Sequence, residues 1–331
     1  MDVIITTIYP PNAATTLLSK QLSHIGGRLW VVGDLPGPVS YDLPNAVFIP
    51  IVKQESCDFE LANKLPKRHY SRKNLGYLFA IQASQPSFIV ETDDDNIPKE
   101  SFLEARQLEL ESDVIDGDKW ANVYQLFSDE SIWPRGLPLD EIHASGSSIQ
   151  TRRLKAYIQQ GLSDANPDVD AVFRLTRRLP VFFKDRAPVA LNENVWCPFN
   201  SQATTFFRDA FPLLYLPSYC SFRMTDIWRS FVAQRCVWEM GGNLIFTKAI
   251  TRQERNVHNL LKDFEDEIPG YLQNKRLVDL LAATPLVSGV AFETVSCNLL
   301  KCYEVLCEND IIGRQELTLV NAWVQDLERI L

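Results

Sequence analysis

Short apolar runs alternate with an amphipathic segment in the N-terminal part of the chain. Residues 3–8 form a β-branched run that stops at Pro10, which predicts a buried strand followed by a loop. A helical pattern covers residues 15–25, and two further apolar runs cover 29–32 and 46–50. This order of strand, helix, strand and strand predicts a parallel sheet with crossover connections, and hence an α/β fold.

The next predicted helix and strand lead into an acidic run. Residues 72–83 carry apolar side chains on one side and end before Pro86, which predicts a helix. A strand at 87–92 then runs straight into three consecutive aspartates at 93–95. Ligands of open α/β sheets gather at the carboxyl ends of the strands. The acidic run therefore marks the expected ligand site.

The middle of the chain is harder to interpret from its pattern. Residues 116–207 contain many prolines and show no clear period, although the run at 171–175 predicts a strand. An apolar face at helical spacing begins at Thr225 and ends at the glycine pair 241–242. We therefore predict a long helix after an irregular middle region.

The last part of the chain shows helical periodicity alone. One apolar stripe starts at Val295 and another at Leu317. We therefore predict an α/β domain over residues 1–270 and a helical C-terminal appendage over residues 271–331.

Composition excludes some classes of partner. The formal net charge is -9, whereas nucleic acids and anionic membranes require a basic surface, so we predict no nucleic-acid partner. No apolar run approaches the roughly 20 residues of a membrane-spanning helix, and the start does not resemble a signal peptide. We therefore expect no transmembrane segment and a cytoplasmic location. The seven cysteines form no CxxC pair, which favours free thiols.

The acidic run carries charge that must be compensated. Adjacent carboxylates repel one another unless water, a cation or a basic partner is present. Their oxygen atoms suit a hard divalent ion such as Mn²⁺ or Mg²⁺, whose coordination shell nucleotide phosphates complete. Asp93 and Asp95 are expected on the same side of the strand end, with Asp94 pointing elsewhere. The alternative is a solvated acidic turn that caps the next segment.

Polar residues near the same sheet edge extend the predicted site. Arg72 and Lys73 begin the helix before the acidic strand, so the crossover brings them towards the edge, where they could meet phosphate oxygens or the base. A solvated basic helix start is the alternative. Asp34 follows the second strand and could accept hydrogen bonds from a ribose or a base, although an Asx turn explains it equally well.

Several strings of the sequence, taken together, resemble one family. They are ITTIYPP, VVGDLP, RKNLGYLFAIQ, FIVETDDDN, PDVDAVFRLTR, CPFNSQATTF and TDIWRSFVAQRCVWEMGG. They span residues 3–270 in order and resemble the STELLO family of glycosyltransferase-like proteins. The helical tail lies outside this match.

The resemblance implies a glycosyltransferase A-type fold. In that fold a Rossmann-like sheet carries a DxD metal site that binds a nucleoside-diphosphate sugar. By this resemblance Asp93 and Asp95 contact the metal and the ribose, and Asp94 lies with Asp93 in the donor site. The residues implied to line or support the nucleoside pocket are Thr6, Thr7, Asp34, Arg72, Lys73 and Asn74.

Two more roles follow from the resemblance. Asp226 resembles the acidic position that serves as base in inverting enzymes of this fold, where it takes the proton of the acceptor hydroxyl. The alternative is a carboxylate that stabilises a helix N-terminus and pairs with Arg229 or Ser230. His258 lies where related folds often place a third metal ligand, and a surface histidine is the alternative.

A second acidic pair, Asp168 and Asp170, precedes the apolar run at 171–173. We expect it to contact the acceptor or the sugar together with Arg174, in preference to a second metal. A plain acidic turn is the alternative.

The predicted function is metal-dependent transfer of a sugar from a nucleoside-diphosphate sugar, with uridine or guanosine as the nucleoside. The acceptor is a glycan, lipid or protein that the sequence does not identify, and the stereochemical outcome stays open. A nucleotidyltransferase or nucleotide-sugar mutase is one alternative. The other is a non-catalytic interaction or assembly module that keeps the fold without turnover.

Overall fold

A computed structural model describes residues 1–116, 119–144, 148–254 and 259–331. Within these ranges the strands are β1 (Asp2–Thr7), β2 (Arg28–Gly33), β3 (Ala46–Ile49), β4 (Phe88–Thr92), β5 (Asn96–Pro98), β6 (Glu109–Asp116), β7 (Ser148–Lys155), β8 (Ile158–Asp164), β9 (Val189–Leu191), β10 (Ala203–Phe207) and β11 (Leu244–Gln253). The helices are α1 (Ala13–His24), α2 (Ile51–Glu55), α3 (Lys73–Ser84), α4 (Val123–Leu126), α5 (Ala171–Thr176), α6 (Thr225–Glu239), α7 (Leu260–Ala283), α8 (Phe292–Glu308) and α9 (Glu316–Ile330).

One mixed sheet joins the strands in the order β3-β2-β1-β4-β10-β8-β11-β9-β6-β7, and β5 pairs with β11. The first four strands of this order are parallel, as the sequence predicted. Strand β10 is antiparallel to both of its neighbours, β4 and β8, while β11 is parallel to β8. The α/β class of the fold is therefore confirmed, with antiparallel strands inserted beyond β4.

Helices cover both faces of the parallel strands. Val3 and Ile5 of β1 pack in one apolar cluster with α1, whereas Ile4 points to the opposite face and joins the larger cluster that includes α3. Strand side chains alternate between faces, so a continuous β-branched run is what a doubly covered strand requires. Helix α3 approaches closely at Gly76, where an added Cβ would lie 2.5 Å from a Val32 methyl group.

The predicted strand at 171–175 is wrong, because this segment is helix α5. Asp170 caps the helix: its carboxylate accepts a hydrogen bond of 2.7 Å from the Phe173 backbone N–H. Its other oxygen accepts from the Trp133 indole, at 2.7 Å. An apolar run of this length fits a strand or a buried helix, and here the N-terminal aspartate decides for the helix.

The last three helices pack against the sheet region. Leu277, Leu299 and Trp323 are buried in the same large apolar cluster as residues of the sheet and of α3. The predicted domain boundary after residue 270 falls within α7, and the division into two domains stays a prediction. In the described ranges, no helix is both long and apolar enough to cross a membrane.

Candidate functional site

A cavity of about 490 Å³ opens at the carboxyl ends of β1, β2 and β4. Strand β4 lies between β1 and β10 in the sheet, so the cavity extends to both sides of it. On the β1 and β2 side, called the first half below, the lining residues are Thr6, Thr7, Ile8, Tyr9, Asp34, Leu35, Arg68 and His69. On the other side, called the second half, they are Arg135, Asp168, Arg174, Arg223 and Asp226, while Phe222 lies between the halves, with its ring against His69.

The three aspartates of the acidic run all line the cavity between the two halves. The Asp93 carboxylate accepts hydrogen bonds from the Tyr70 hydroxyl at 2.6 Å and from the Lys73 ammonium at 3.2 Å. Asp94 accepts a bond of 2.5 Å from the Thr7 hydroxyl. Asp95 accepts from the Gln253 amide, at 3.0 Å. Each carboxylate is therefore oriented by a different neighbouring element.

Negative charge is in excess around the acidic run. Among the described residues, the ion pairs of the run are limited to that between Lys73 and Asp93. Burial raises the pKa of Asp94, and burial together with the charge of Asp93 raises the pKa of Asp95 to about 7. Carboxylates that are costly to ionise in this way fit a hard divalent cation with oxygen ligands.

The protein side chains alone do not complete a metal shell. No group of three or more His, Cys, Asp or Glu side chains in the described part of the chain is arranged to hold a metal ion. A cation at the acidic run would therefore take further ligands from phosphate or water. His258, the predicted third ligand, lies outside the described residues.

The polar residues at the start of α3 point to different partners. Lys73 is fully buried and also donates to the Thr92 carbonyl, at 2.6 Å, so it reaches the end of β4 as predicted. Arg72 instead donates to the Gln54 amide, and Asn74 bonds to the backbone of Leu216. The structure does not bring Arg72 or Asn74 to the cavity, and their roles in donor binding stay predictions.

Asp34 lines the first half, and most of its hydrogen-bonding capacity is already used. Its Oδ1 accepts from the backbone N–H groups of Leu35 and Arg68, at 2.7 and 2.9 Å. Its Oδ2 accepts from the His69 N–H, at 2.8 Å. Since a carboxylate oxygen accepts about two hydrogen bonds, Oδ2 retains room for one from a ligand. The Asx-turn interpretation is wrong, because Pro36 has no N–H to donate to Asp34, and the ligand contact of Asp34 stays a prediction.

Asp226 lies in the second half and forms a buried ion pair with Arg135. The guanidinium donates to both Asp226 oxygens, at 3.0 and 2.9 Å. Burial raises the pKa of this carboxyl, but the charge and hydrogen bonds of Arg135 outweigh it, and the net pKa lies below the usual value. The predicted base is therefore ionised at neutral pH, while its predicted pairing with Arg229 or Ser230 is replaced by one with Arg135.

Arg135 also binds Asp168, so one guanidinium links both acidic residues of the second half. The two hydrogen bonds from Arg135 to Asp168 measure 2.8 and 2.7 Å, and the Nη1 atom of Arg135 also donates to the Arg223 carbonyl. Asp170 points away from this cluster and caps α5.

The sequence did not single out Arg135, Tyr70, Ser201 or Gln253. Ser201 bonds both to the Tyr70 hydroxyl, at 2.6 Å, and to Asp226, at 3.4 Å, and so connects the acidic run with the second half. Each of these residues is at least 23 residues away from the aspartate that it binds in the cavity. The one local signal was Arg135 itself, a lone basic residue between a proline and a glycine.

Comparison with known proteins supports one family. The family described as STELLO glycosyltransferases matches residues 223–331. "Probable glycosyltransferase STELLO1" from Arabidopsis thaliana is 28% identical, over 98% of this chain and 44% of that protein. "Probable glycosyltransferase STELLO2" from the same plant is 29% identical, over 91% of this chain and 41% of that protein. The chain thus spans less than half the length of these relatives. The predicted resemblance is confirmed and extends into the helical tail.

Proposed function

We propose that this chain, a relative of the STELLO glycosyltransferases, is a metal-dependent glycosyltransferase with a glycosyltransferase A-type fold. Its donor is a nucleoside-diphosphate sugar with uridine or guanosine, and its acceptor is a glycan, lipid or protein. The observation that carries the proposal is the cavity at the carboxyl ends of the parallel strands, with three carboxylates and, among the described residues, one directly paired cation. Residues 1–270 would form the catalytic domain and 271–331 the helical appendage.

Asp93 and Asp95 are the proposed ligands of Mn²⁺ or Mg²⁺, and Asp94 lies beside them with its carboxylate fixed by Thr7. When bound, the cation neutralises the charge that develops on the diphosphate leaving group. The buried Lys73 pairs with Asp93 and supplies part of the positive charge. His258 as a third ligand and a cytoplasmic location both stay predictions from the sequence.

The first half of the cavity is the proposed nucleoside site. Thr6, Thr7 and the remaining lone pair of Asp34 offer polar contacts to the ribose or the base. Arg72 and Asn74 would act indirectly, because their hydrogen bonds go to Gln54 and to the backbone of Leu216 and do not reach into the cavity. This assignment follows the order of the strands, since ligands sit where parallel strands end.

Asp226 is the proposed base. In the transfer step the acceptor oxygen forms a bond to the anomeric carbon, while the bond from that carbon to the diphosphate oxygen breaks. The nucleoside diphosphate leaves with the electron pair, and the acceptor proton passes to Asp226. Its pairing with Arg135 keeps the carboxylate ionised and aimed, at the cost of lower basicity.

Thermal stabilisation by ligands tests the donor site. Wild-type protein would be heated with uridine and guanosine diphosphates and their sugar conjugates, with and without Mn²⁺. We expect a metal-dependent rise in Tm for one nucleoside, which is lost in the double variant Asp93→Asn/Asp95→Asn. Asp129→Asn is the matched control, because Asp129 is an exposed aspartate outside the cavity.

The products then separate the remaining alternatives. A glycosyltransferase releases nucleoside diphosphate together with a glycosylated acceptor or, with water, free sugar. A mutase returns an isomeric nucleotide sugar, and a nucleotidyltransferase releases a sugar phosphate. No stabilisation by any donor, with or without metal, would refute the proposal in favour of a non-catalytic interaction module.

A further inference from the structure

The second half of the cavity presents hydrogen-bond acceptors held in a fixed arrangement. Asp168 and Asp226 both bind the same Nη2 atom of Arg135, at 2.7 and 2.9 Å, so their carboxylates lie side by side. Both residues are buried yet line the cavity. Neither can rotate away without breaking a bidentate pair with a buried guanidinium.

These carboxylates retain capacity for a ligand. Within the described residues, each Asp168 oxygen accepts one hydrogen bond, from Arg135. Asp226 Oδ1 likewise accepts one, whereas its Oδ2 also receives the backbone and hydroxyl groups of Ser201. A carboxylate oxygen has room for about two hydrogen bonds, so acceptor positions remain on both residues. Their natural partners are hydroxyl groups placed close together on one molecule.

An exposed aromatic ring lines the same cavity where its two halves meet. Phe222 lines the cavity, and 53% of its surface is exposed. Its ring contacts His69 and Tyr70 in edge-to-face geometry, with centroids 5.8 and 6.4 Å away. Phe222 belongs to the turn Phe222–Met224, which directly precedes α6. Arg223 of this turn pairs with the buried Glu267 of α7, and this ion pair anchors the turn. A ligand that covers this ring removes apolar surface from water.

We propose that the second half is the acceptor subsite and that the acceptor is a carbohydrate. Hydroxyl groups of one sugar ring would donate to Asp168 and Asp226, while the apolar C–H face of the ring packs on Phe222. This inference rests on the proposed function, and it narrows the acceptor from the three classes left open above. A lipid alcohol and a serine or threonine side chain each offer a single hydroxyl, whereas one sugar ring offers several.

The exposed position of Phe222 favours the acceptor over the donor's own sugar. The donor sugar is attached to the diphosphate and so must lie next to the acidic run. Phe222 contacts that run through Tyr70, which donates to Asp93, and the Phe222 ring itself remains open to solvent. A molecule that arrives separately from the nucleotide would meet the ring first. The hydroxyl bound at Asp226 would then be the one whose proton the base removes.

Saturation-transfer NMR on the full chain, with Mg²⁺ and the preferred nucleoside diphosphate, tests the proposal. The probes are methyl glycosides of glucose, galactose, mannose, xylose and N-acetylglucosamine, a threonine peptide, and a short-chain phospholipid below its micelle concentration. We expect transfer to C–H protons of at least one glycoside. Phe222→Ala should weaken that binding about fivefold, and Phe222→Tyr should restore it. The control is Phe182→Ala, since Phe182 is 59% exposed and does not line the cavity.

Three results would overturn the proposal. The first is transfer to the peptide or phospholipid, or to none of the probes, without transfer to a glycoside. The second is a glycoside that the nucleotide sugar displaces and the nucleoside diphosphate does not, since this site would belong to the donor's sugar. The third is an equal effect of Phe222→Ala and Phe182→Ala. Metal-dependent stabilisation by the nucleotide is measured separately, so the donor site can hold while the acceptor inference fails.

Discussion

Replacing Asp226 by asparagine removes one negative charge from the cavity and keeps the shape of the side chain. The carboxylate now receives two hydrogen bonds from Arg135 and is almost fully buried. An asparagine can accept only one of them, and its NH₂ group faces a guanidinium donor. The substitution therefore affects both the stability of the fold and the proposed proton transfer, and the two effects are separable.

The loss of stability can be estimated from the contacts. Removing one partner of a buried ion pair costs about 3–5 kcal/mol when the other charge is left alone. Here Asp168 still neutralises Arg135, so the loss is closer to that of one hydrogen bond to a charged group, about 1.5–3 kcal/mol. We therefore expect Asp226→Asn to fold with a free energy of unfolding about 2 kcal/mol below wild type.

The pH dependence of this difference has a definite sign. The pKa of Asp226 in the folded chain lies below its usual value of 3.8. The ionised carboxylate therefore contributes its stability above about pH 4, and the contribution is lost as the pH falls through the folded pKa. The difference between wild type and variant should stay constant from about pH 8 to about pH 5 and shrink below about pH 4.

Urea unfolding at several pH values, together with the donor-binding and transfer assays, measures these effects. Asp129→Asn is the control, because Asp129 is 84% exposed in a surface pair with Lys184 and should change stability by less than about 1 kcal/mol. Asp226→Asn should keep nucleotide binding and lose transfer. Unchanged transfer in Asp226→Asn would refute its role as the base. A loss in the free energy of unfolding no larger than that of Asp129→Asn would refute the estimate for the buried pair.

Two further substitutions test the packing around the site. Gly76→Ala places a methyl group 2.5 Å from a methyl of Val32, so α3 must shift away from the sheet. Urea unfolding should show a free energy of unfolding about 1–3 kcal/mol lower than that of wild type. An unchanged free energy of unfolding would mean that α3 can shift without cost. Glu316→Gln removes the charge from a buried carboxylate that accepts from the N–H groups of Ser218 and Tyr219. Hydrogen exchange should show faster exchange of those two amides, whereas faster exchange throughout the chain would indicate general unfolding instead.

The site was predictable where its residues follow strand ends. Thr7 ends β1, Asp34 and the acidic run come directly after β2 and β4, and parallel strands bring their carboxyl ends to one edge. The local sequence pattern therefore predicted that these residues lie close together in the folded chain. Arg135 could not be found in this way, because its partners lie 33 and 91 residues away and no repeating pattern connects them.

The sequence by itself determined the parallel strands, the position of the acidic run and the resemblance to a family, since each depends on neighbouring residues or on short strings. Only the tertiary structure decided that Arg72 turns into the protein while Lys73 reaches the acidic run, although the two are adjacent. It also decided the partner of Asp226. Such choices depend on which buried polar group finds a partner across the fold, and every buried charge must find one, however distant in the chain.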